Sequence, residues 1–161
     1  MNMDINKINL RFIQLKTFTE QDAEDYCQIN NINPDNITQL YLYNNELTDI
    51  SGIKIFKNLE VLDLDYNQIK DISVLKSLNN IKELSISELE LKSNQIKYIN
   101  SLKKLRNLYC NHGFENIDDL FKLNSSIENI NPFPEEDNEG GYYNDWGWRE
   151  KGSIEDWGGD V

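Results

Sequence analysis

The hydrophobic positions in the middle of the chain recur with a fixed spacing. Residues 37–58 (ITQLYLYNNELTDISGIKIFKN) and 59–80 (LEVLDLDYNQIKDISVLKSLNN) each span 22 positions and align without a gap. They share the frame apolar-x-x-Leu-x-Leu-x-x-Asn-x-apolar-x-Asp-Ile-Ser-x-apolar. Leu-x-Leu puts two leucines on one face of a short strand, and asparagine can satisfy backbone groups that a tight bend leaves unpaired. The pattern therefore predicts two copies of one strand-and-turn unit.

Two further units follow with a weaker pattern. The third begins in phase after residue 80, and the fourth is the decayed copy LRNLYCNHGFENIDDLFKL. If Asn94 is the bend asparagine of the third unit, it lies 27 residues after Asn67, whereas Asn67 lies 22 after Asn45. The third unit is thus predicted to carry five extra residues, and SISELELKSN offers two candidate strands, one paired in the sheet and one bulging out. Gly113 replaces the asparagine of the fourth unit, so the row of asparagines is predicted to end there.

This frame and period resemble the leucine-rich repeats. The resemblance is to the 22-residue class found in internalins and in phosphatase-regulatory repeat proteins, and it covers roughly residues 37–124. It implies an α/β repeat fold, a short solenoid of about four repeats whose asparagines form a ladder. It also implies that ligands bind the concave face, where outward side chains of the strands are displayed.

The segment before the repeats is predicted to close one end of the solenoid, because a single repeat buries too little apolar surface to fold alone. Residues 1–36 form this N-terminal cap. In INLRFIQL, the alternation of Ile8, Leu10 and Phe12 is typical of a strand. Thr19 is a good N-cap for a helix over FTEQDAEDYCQI. At the other end, IDDLFKLNSSI is predicted to be a capping helix.

Charge and tryptophan are concentrated in the last segment, residues 125–161. The chain has 28 acidic and 16 basic residues, a formal net charge of −12. Nine acids and two bases lie in residues 131–161, which is −7 of that total. All three tryptophans, Trp146, Trp148 and Trp157, lie there too. Because an acidic surface repels phosphate backbones and anionic membranes, the predicted partner is a protein with a basic surface, not a nucleic acid or a membrane.

Three roles are open for the final stretch, YYNDWGWREKGSIEDWGGDV. It docks into a basic, apolar groove of a partner, or it folds back so that its tryptophans cover the last repeat, or it is a solubilising end. The tripeptide Asp-Trp-Gly occurs twice, at residues 145–147 and 156–158, which argues against random drift. Since every tryptophan lies here, tryptophan fluorescence reports on this stretch alone.

Residues able to support catalysis or bind metal are few. The single histidine, His112, follows Cys110 by two positions and could activate its thiol. However, Cys110 occupies the second leucine position of the frame, so it and Cys27 are predicted to be reduced core residues. One His and two distant Cys do not make a zinc site, and EEDNEGG lacks the ligand order of a calcium loop. The sequence therefore predicts no enzyme activity, no cofactor and no metal.

The candidate binding residues are the outward side chains of the predicted strands, together with the tryptophans. Tyrosine is common at interfaces because it buries a large area with few rotatable bonds. Asp63 and Asp65 are predicted to pair with Lys or Arg of a partner. The full predicted partner-binding set is Tyr41, Tyr43, Asp63, Asp65, Tyr66, Tyr109, Trp146, Trp148 and Trp157.

Together these features indicate a non-catalytic protein-binding module. A small acidic chain without catalytic residues favours an inhibitor or immunity-type protein that occupies a basic functional surface of a toxin, nuclease or defence enzyme. The alternative is a regulatory or scaffolding subunit that binds an enzyme without blocking it. The N-terminus lacks the features of a secretory signal, and no apolar run could span a bilayer. We therefore expect a cytoplasmic protein that is monomeric on its own.

Overall fold

The computed structural model describes residues 6–131, and its strands form one parallel sheet. The strands are β1 (Lys7–Asn9), β2 (Gln39–Tyr41), β3 (Val61–Asp63), β4 (Glu83–Ser85), β5 (Asn107–Tyr109) and β6 (Asn129–Asn131). They pair in chain order from β1 to β6. In each strand the middle residue is buried, because Leu-x-Leu turns alternate side chains toward the core. The predicted α/β repeat is confirmed.

Short helices connect the strands on the side of the core opposite the sheet. Two are α-helices, α1 (Glu20–Ile29) and α2 (Ile96–Ile99). The others are 3-10 helices, η1 (Pro34–Asn36), η2 (Ser51–Ile55), η3 (Ser73–Ser77), η4 (Ser93–Gln95) and η5 (Ile117–Lys122). α1 packs against η2, η2 against η3, and η3 against α2. The helices therefore stack in the same order as the strands.

The hydrophobic core runs between the sheet and the helices. Each repeat contributes the same positions of the frame; in the second these are Leu59, Leu62, Leu64, Ile69, Ile72, Leu75 and Leu78, none more than 1% exposed. Burying one such side chain contributes about 1.5–3 kcal/mol. Cys27 and Cys110 are both buried and unpaired, which confirms their prediction as core thiols.

Asn45 and Asn67 form the predicted ladder. The Nδ2 of Asn67 donates to the carbonyl oxygens of Leu42 and Leu64, both at 3.0 Å. Its Oδ1 accepts a hydrogen bond from the amide of Leu47 at 3.1 Å. Asn45 forms equivalent hydrogen bonds. Its Oδ1 accepts from the amides of Ile13 and Leu15, and its Nδ2 donates to the carbonyl oxygens of Leu10 and Leu42. Each side chain thus satisfies buried backbone groups of two consecutive repeats.

The third repeat is longer than the second by two residues, and the prediction of five was wrong. Leu84 pairs with Leu62, 22 residues earlier, and with Leu108, 24 residues later. The ladder position is therefore occupied by Leu89, which is buried in the core. Asn94 is exposed in η4, outside the ladder. The extra residues follow the bend, where η4 precedes α2, and Leu91 of the second candidate strand forms an isolated parallel bridge with Phe114.

The chain before β2 contains the predicted helix but a shorter strand than expected. Thr19 caps α1: its Oγ1 accepts from the amide of Asp22, and its own amide donates to the Asp22 carboxylate at 2.7 Å. Hydrogen bonding from Thr19 lowers the pKa of the Asp22 carboxyl. Ile8 and Leu10 are buried, but Phe12 is 57% exposed. The expected alternation fails at Phe12 because the backbone turns there, with φ 59°.

The chain after β5 returns to the sheet. The predicted capping helix is the 3-10 helix η5, and it ends where Asn124 bonds Asn100 through both its amide and its side chain. β6 then pairs with β5, with Ile130 beside Leu108. The sheet therefore extends beyond residue 124, at which the leucine-rich repeats were predicted to end.

Candidate protein-binding face

The outward side chains of the strands form three rows. The first positions are Lys7, Gln39, Val61, Glu83, Asn107 and Asn129, the third positions are Asn9, Tyr41, Asp63, Ser85, Tyr109 and Asn131, and the residues two further on are Arg11, Tyr43, Asp65, Ser87 and Asn111. Together they form the strand face. Because the strands pair in register about 4.8 Å apart, members of one row are neighbours. This brings together residues more than twenty positions apart in the sequence.

Tyr41 is held by two cations of its own chain. The Nζ of Lys7 lies 4.4 Å from the ring centroid, and the Cζ of Arg11 lies 4.3 Å from it. The hydroxyl donates to the Oε1 of Gln39 at 3.2 Å. Burial raises the pKa of this hydroxyl. These contacts fix the ring in one position, and the side chain stays half-buried.

Asp63 is already paired within the chain. The Nη2 of Arg11 lies 3.3 Å from its Oδ2, and its Oδ1 accepts a hydrogen bond from the amide of Asp65. The side chain is only 13% exposed. Burial raises the pKa of the carboxyl despite the opposing effects of that hydrogen bond and of Arg11. A base of a partner would therefore have to join or displace Arg11.

Asp65 lies deeper still, at 4% exposure. Its carboxylate accepts hydrogen bonds from the hydroxyl of Ser85, at 2.7 Å, and from the amide of Ser87. Burial, and secondarily the nearby charge of Asp63, raises its pKa to about 7. The structure thus makes Asp65 a support of the strand face, out of direct reach of a partner's base.

Phe12, Tyr43 and Tyr66 form an aromatic row at the edge of the strand face. The ring centroid of Tyr43 lies 5.1 Å from that of Phe12 and 5.3 Å from that of Tyr66, both at an interplanar angle of 67°. This edge-to-face geometry is favoured for aromatic pairs. Tyr43 is buried, whereas Tyr66 is 37% exposed, and Ile13 beside Phe12 is 53% exposed. The row therefore presents a supported apolar surface to solvent.

A left-handed bend puts one residue of each turn on this edge. The residues are Phe12, Asn44, Tyr66, Glu88 and His112, with φ between 45° and 62°. Asparagine tolerates this region better than an aromatic residue does. Phe12 was missing from the predicted binding residues because it was read as part of an alternating strand with Ile8 and Leu10. Its alignment with Tyr66 in the bend was the signal that could have identified it.

The end of β5 contains Tyr109 and the Cys110–His112 pair. Tyr109 is buried, and burial raises the pKa of its hydroxyl. Cys110 is 2% exposed, and burial also raises the pKa of its thiol, which favours the unreactive protonated form. His112 is exposed, and its Nδ1 lies 2.9 Å from the Oε1 of Glu88. The imidazole is thus paired with Glu88 and not with the thiol.

Part of the predicted site lies outside the described residues: Trp146, Trp148, Trp157 and the segment EEDNEGG. Within residues 6–131, no three His, Cys, Asp or Glu side chains are grouped as metal ligands would be. None of the helices in that range has the length and apolarity needed to cross a bilayer.

Residues 35–77 and 57–88 match the family model of leucine rich repeats in two copies. Residues 35–88 therefore consist of leucine-rich repeats, and the resemblance seen in the sequence is confirmed. Repeats of this family generally mediate binding to other proteins. No curated protein matches the chain.

Proposed function

We propose that this chain is a non-catalytic module that binds a protein partner through the strand face. The exposed aromatic row carries the proposal. Exposed aromatic side chains backed by a packed neighbour are typical interface anchors. Phe12 and Tyr66 flank the buried ring of Tyr43, so they are held before a partner arrives. Rigid anchors cost less conformational entropy on binding.

The residues of the strand face then have different roles in this proposal. Tyr66 contacts the partner directly. Tyr41 and Asp63 form a polar patch with Arg11 beside it. Tyr43, Asp65 and Tyr109 are buried and support the contact surface. The tryptophans, Trp146, Trp148 and Trp157, are proposed as a second contact to the partner.

The specific function we propose is inhibition. The chain has a formal net charge of −12, and residues 131–161 contribute −7 of it. This negative charge would attract a basic functional surface of a toxin, nuclease or defence enzyme. This corresponds to an immunity-type protein. The unpaired buried cysteines suit a reducing cytoplasm, and like charge keeps free copies apart. We propose a cytoplasmic, monomeric free protein.

One observation favours the second candidate, a regulatory or scaffolding subunit. Asp63 is neutralised by Arg11, and Asp65 is buried. The strand face therefore offers fewer free carboxylates to imitate the phosphates of an enzyme's substrate than the sequence suggests. A subunit that binds beside an active site does not need this imitation.

The substitution Tyr66→Asn tests the proposal. Asparagine occupies the same bend at Asn44, so the variant removes the ring and keeps a backbone that asparagine tolerates. Affinity capture from lysate, followed by titration of the captured partner, measures its effect. Loss of a hot-spot aromatic costs about 2 kcal/mol or more, roughly a thirtyfold loss of affinity.

Lys76→Gln, on the helical side of the molecule, is the matched control and should bind like wild type. Equal affinity of Tyr66→Asn and wild type would rule out the aromatic row as the contact. The activity of the captured partner then separates the two candidates. A blocked partner supports an inhibitor, and a partner that stays active in the complex supports a regulatory subunit.

A further inference from the structure

The side of the molecule opposite the strand face is rich in lysine. This helical face consists of η2, η3, α2 and η5 with the turns that follow them, residues 51–58, 73–80, 96–105 and 117–126. Its charged residues are Lys54, Lys57, Lys76, Lys97, Lys103, Lys104, Lys122, Asp118 and Asp119. Seven bases and two acids give +5, in a chain whose net charge is −12.

Hydrogen bonds connect the lysine-containing turns of successive repeats. Lys104 donates to the Oδ1 of Asn80 at 2.7 Å, and the Nδ2 of Asn80 donates to the carbonyl oxygen of Lys57 at 3.2 Å. These bonds link three repeats across the face. Lys54 and Lys122 are neutralised by Glu20 and Asp119. The other five lysines form no ion pair with any residue in the range 6–131. The Nζ of Lys97 lies 4.9 Å from the ring centroid of Tyr98, a contact that does not neutralise its charge.

The same face also has exposed apolar side chains. Ile117 and Phe121 of η5 are 58% and 56% exposed. Val74 and Tyr98 are only partly buried. η5 is the last helix before β6, and residues 132–161 follow β6 directly. The exposed apolar pair therefore lies on the final described helix, near the point at which this acidic segment begins.

The acidic segment has the complementary chemistry. Its 30 residues hold nine acids, two bases and three tryptophans. Six extended residues span roughly 20 Å, so a small part of the segment can cross from the sheet edge to the helical face. We propose that in the free protein residues 132–161 dock on the helical face of the same chain, with acids facing the lysines and tryptophans covering Ile117 and Phe121.

This docking concerns the free protein, and the helical face shares no residue with the strand face. The inference therefore goes beyond the proposed function, which concerns the contacts made once a partner is bound. Tethering favours contact within one chain because the segment is present at high effective concentration. Attraction between surface charges weakens with salt, so added salt should loosen the contact.

Tryptophan fluorescence of the full chain is the test, because all three tryptophans lie in the segment. Lys97→Glu/Lys103→Glu reverses two lysines of the helical face. Lys16→Glu/Lys92→Glu is the matched control, with the same change of charge at exposed positions beside the bends. Phe121→Ser removes apolar contact area without touching the core. Far-ultraviolet circular dichroism confirms that each variant is folded.

In wild type we expect emission shifted to the blue and protection from acrylamide quenching. Both should be lost in Lys97→Glu/Lys103→Glu and in Phe121→Ser, and kept in the control. Water-like emission in wild type would overturn the proposal. Equal acrylamide quenching of Lys97→Glu/Lys103→Glu and of its control would do the same. If the emission of wild type moved to the red on dilution, the segment would be docked on a second copy, which would contradict docking within one chain. Tyr66→Asn should leave the emission unchanged, which separates this test from that of partner binding.

Discussion

At the scale of single residues, position within the repeat decides what a side chain does. Asn67 and Asn94 are chemically identical. Asn67 lies in the bend and bonds backbone groups of two repeats, whereas Asn94 lies exposed on a 3-10 helix. Asp63 and Asp65 show the same dependence, since one forms an ion pair with Arg11 and the other is buried among serines. Neighbours on adjacent strands set these roles.

The substitution Asn67→Ala should destabilise the fold strongly. It leaves the buried carbonyl oxygen of Leu64 and the amide of Leu47 without their partner, and each unsatisfied buried group costs about 1–3 kcal/mol. The carbonyl oxygen of Leu42 loses one of its two side-chain donors and keeps the other, Asn45. Urea unfolding measures the loss. Asn94→Ala is the matched control and should change the free energy of unfolding by less than about 0.5 kcal/mol. Equal effects of the two substitutions would contradict the ladder.

Asp65 should make stability depend on pH. Its folded pKa of about 7 lies above the value of 3.8 for a free Asp side chain, so between these values the folded state holds a proton that the unfolded state has released. The free energy of unfolding should therefore fall as pH rises from about 4 to about 7, and then level off. Urea unfolding across this range measures the slope.

Asp65→Asn imitates the protonated carboxyl, so it should flatten that slope and be more stable than wild type at pH 8. The exposed Asp118→Asn is the matched control and should keep the wild-type slope. If Asp65→Asn and wild type showed the same pH dependence, the buried carboxyl would not be its source.

At the scale of elements, close approach between helices fixes the N-terminal end. η2 begins beside the N-cap of α1, and the amide of Gly52 donates to the carbonyl oxygen of Phe18 at 2.8 Å. A Cβ at Gly52 would lie 2.2 Å from the carbonyl oxygen of Thr19. Backbone atoms cannot yield as a flexible side chain does, so only glycine fits at this contact.

Gly52→Ala should therefore separate α1 from η2. Overpacking of this kind costs about 1–3 kcal/mol, measured as a lower midpoint in thermal unfolding. Ser51→Ala, one residue earlier and less buried, should leave the midpoint nearly unchanged. An unaltered midpoint in Gly52→Ala would mean that the two helices can move apart without cost.

At the scale of the whole molecule, charge is divided between regions. Residues 6–131 hold 18 acids and 14 bases, a net charge of −4, and residues 132–161 hold nine acids and two bases, a net charge of −7. The helical face is positive within this acidic chain, and the aromatic row lies on the opposite side. The strand face and the helical face of this short solenoid thus differ in charge and in the side chains that they expose.

Much of the fold could be predicted because the repeat is encoded locally. Leu40 and Leu62 are buried as Leu-x-Leu requires, and Thr19 caps the helix for which it was predicted as the N-cap. The third repeat was misjudged because Asn94 matched the frame by residue type, while Leu89 took the ladder position without matching it. Only strand pairing revealed the correct register.

By itself, the sequence determined the repeat, its strands and its core, because 22-residue periodicity and apolar burial are properties of consecutive residues. The tertiary structure alone decided the state of the candidate site. Arg11 meets Asp63 from 52 positions away, Phe12 meets Tyr43, and lysines of three repeats share one face. Such contacts depend on how repeats stack in space, and stacking sets the distances on which ion pairing, aromatic packing and burial depend.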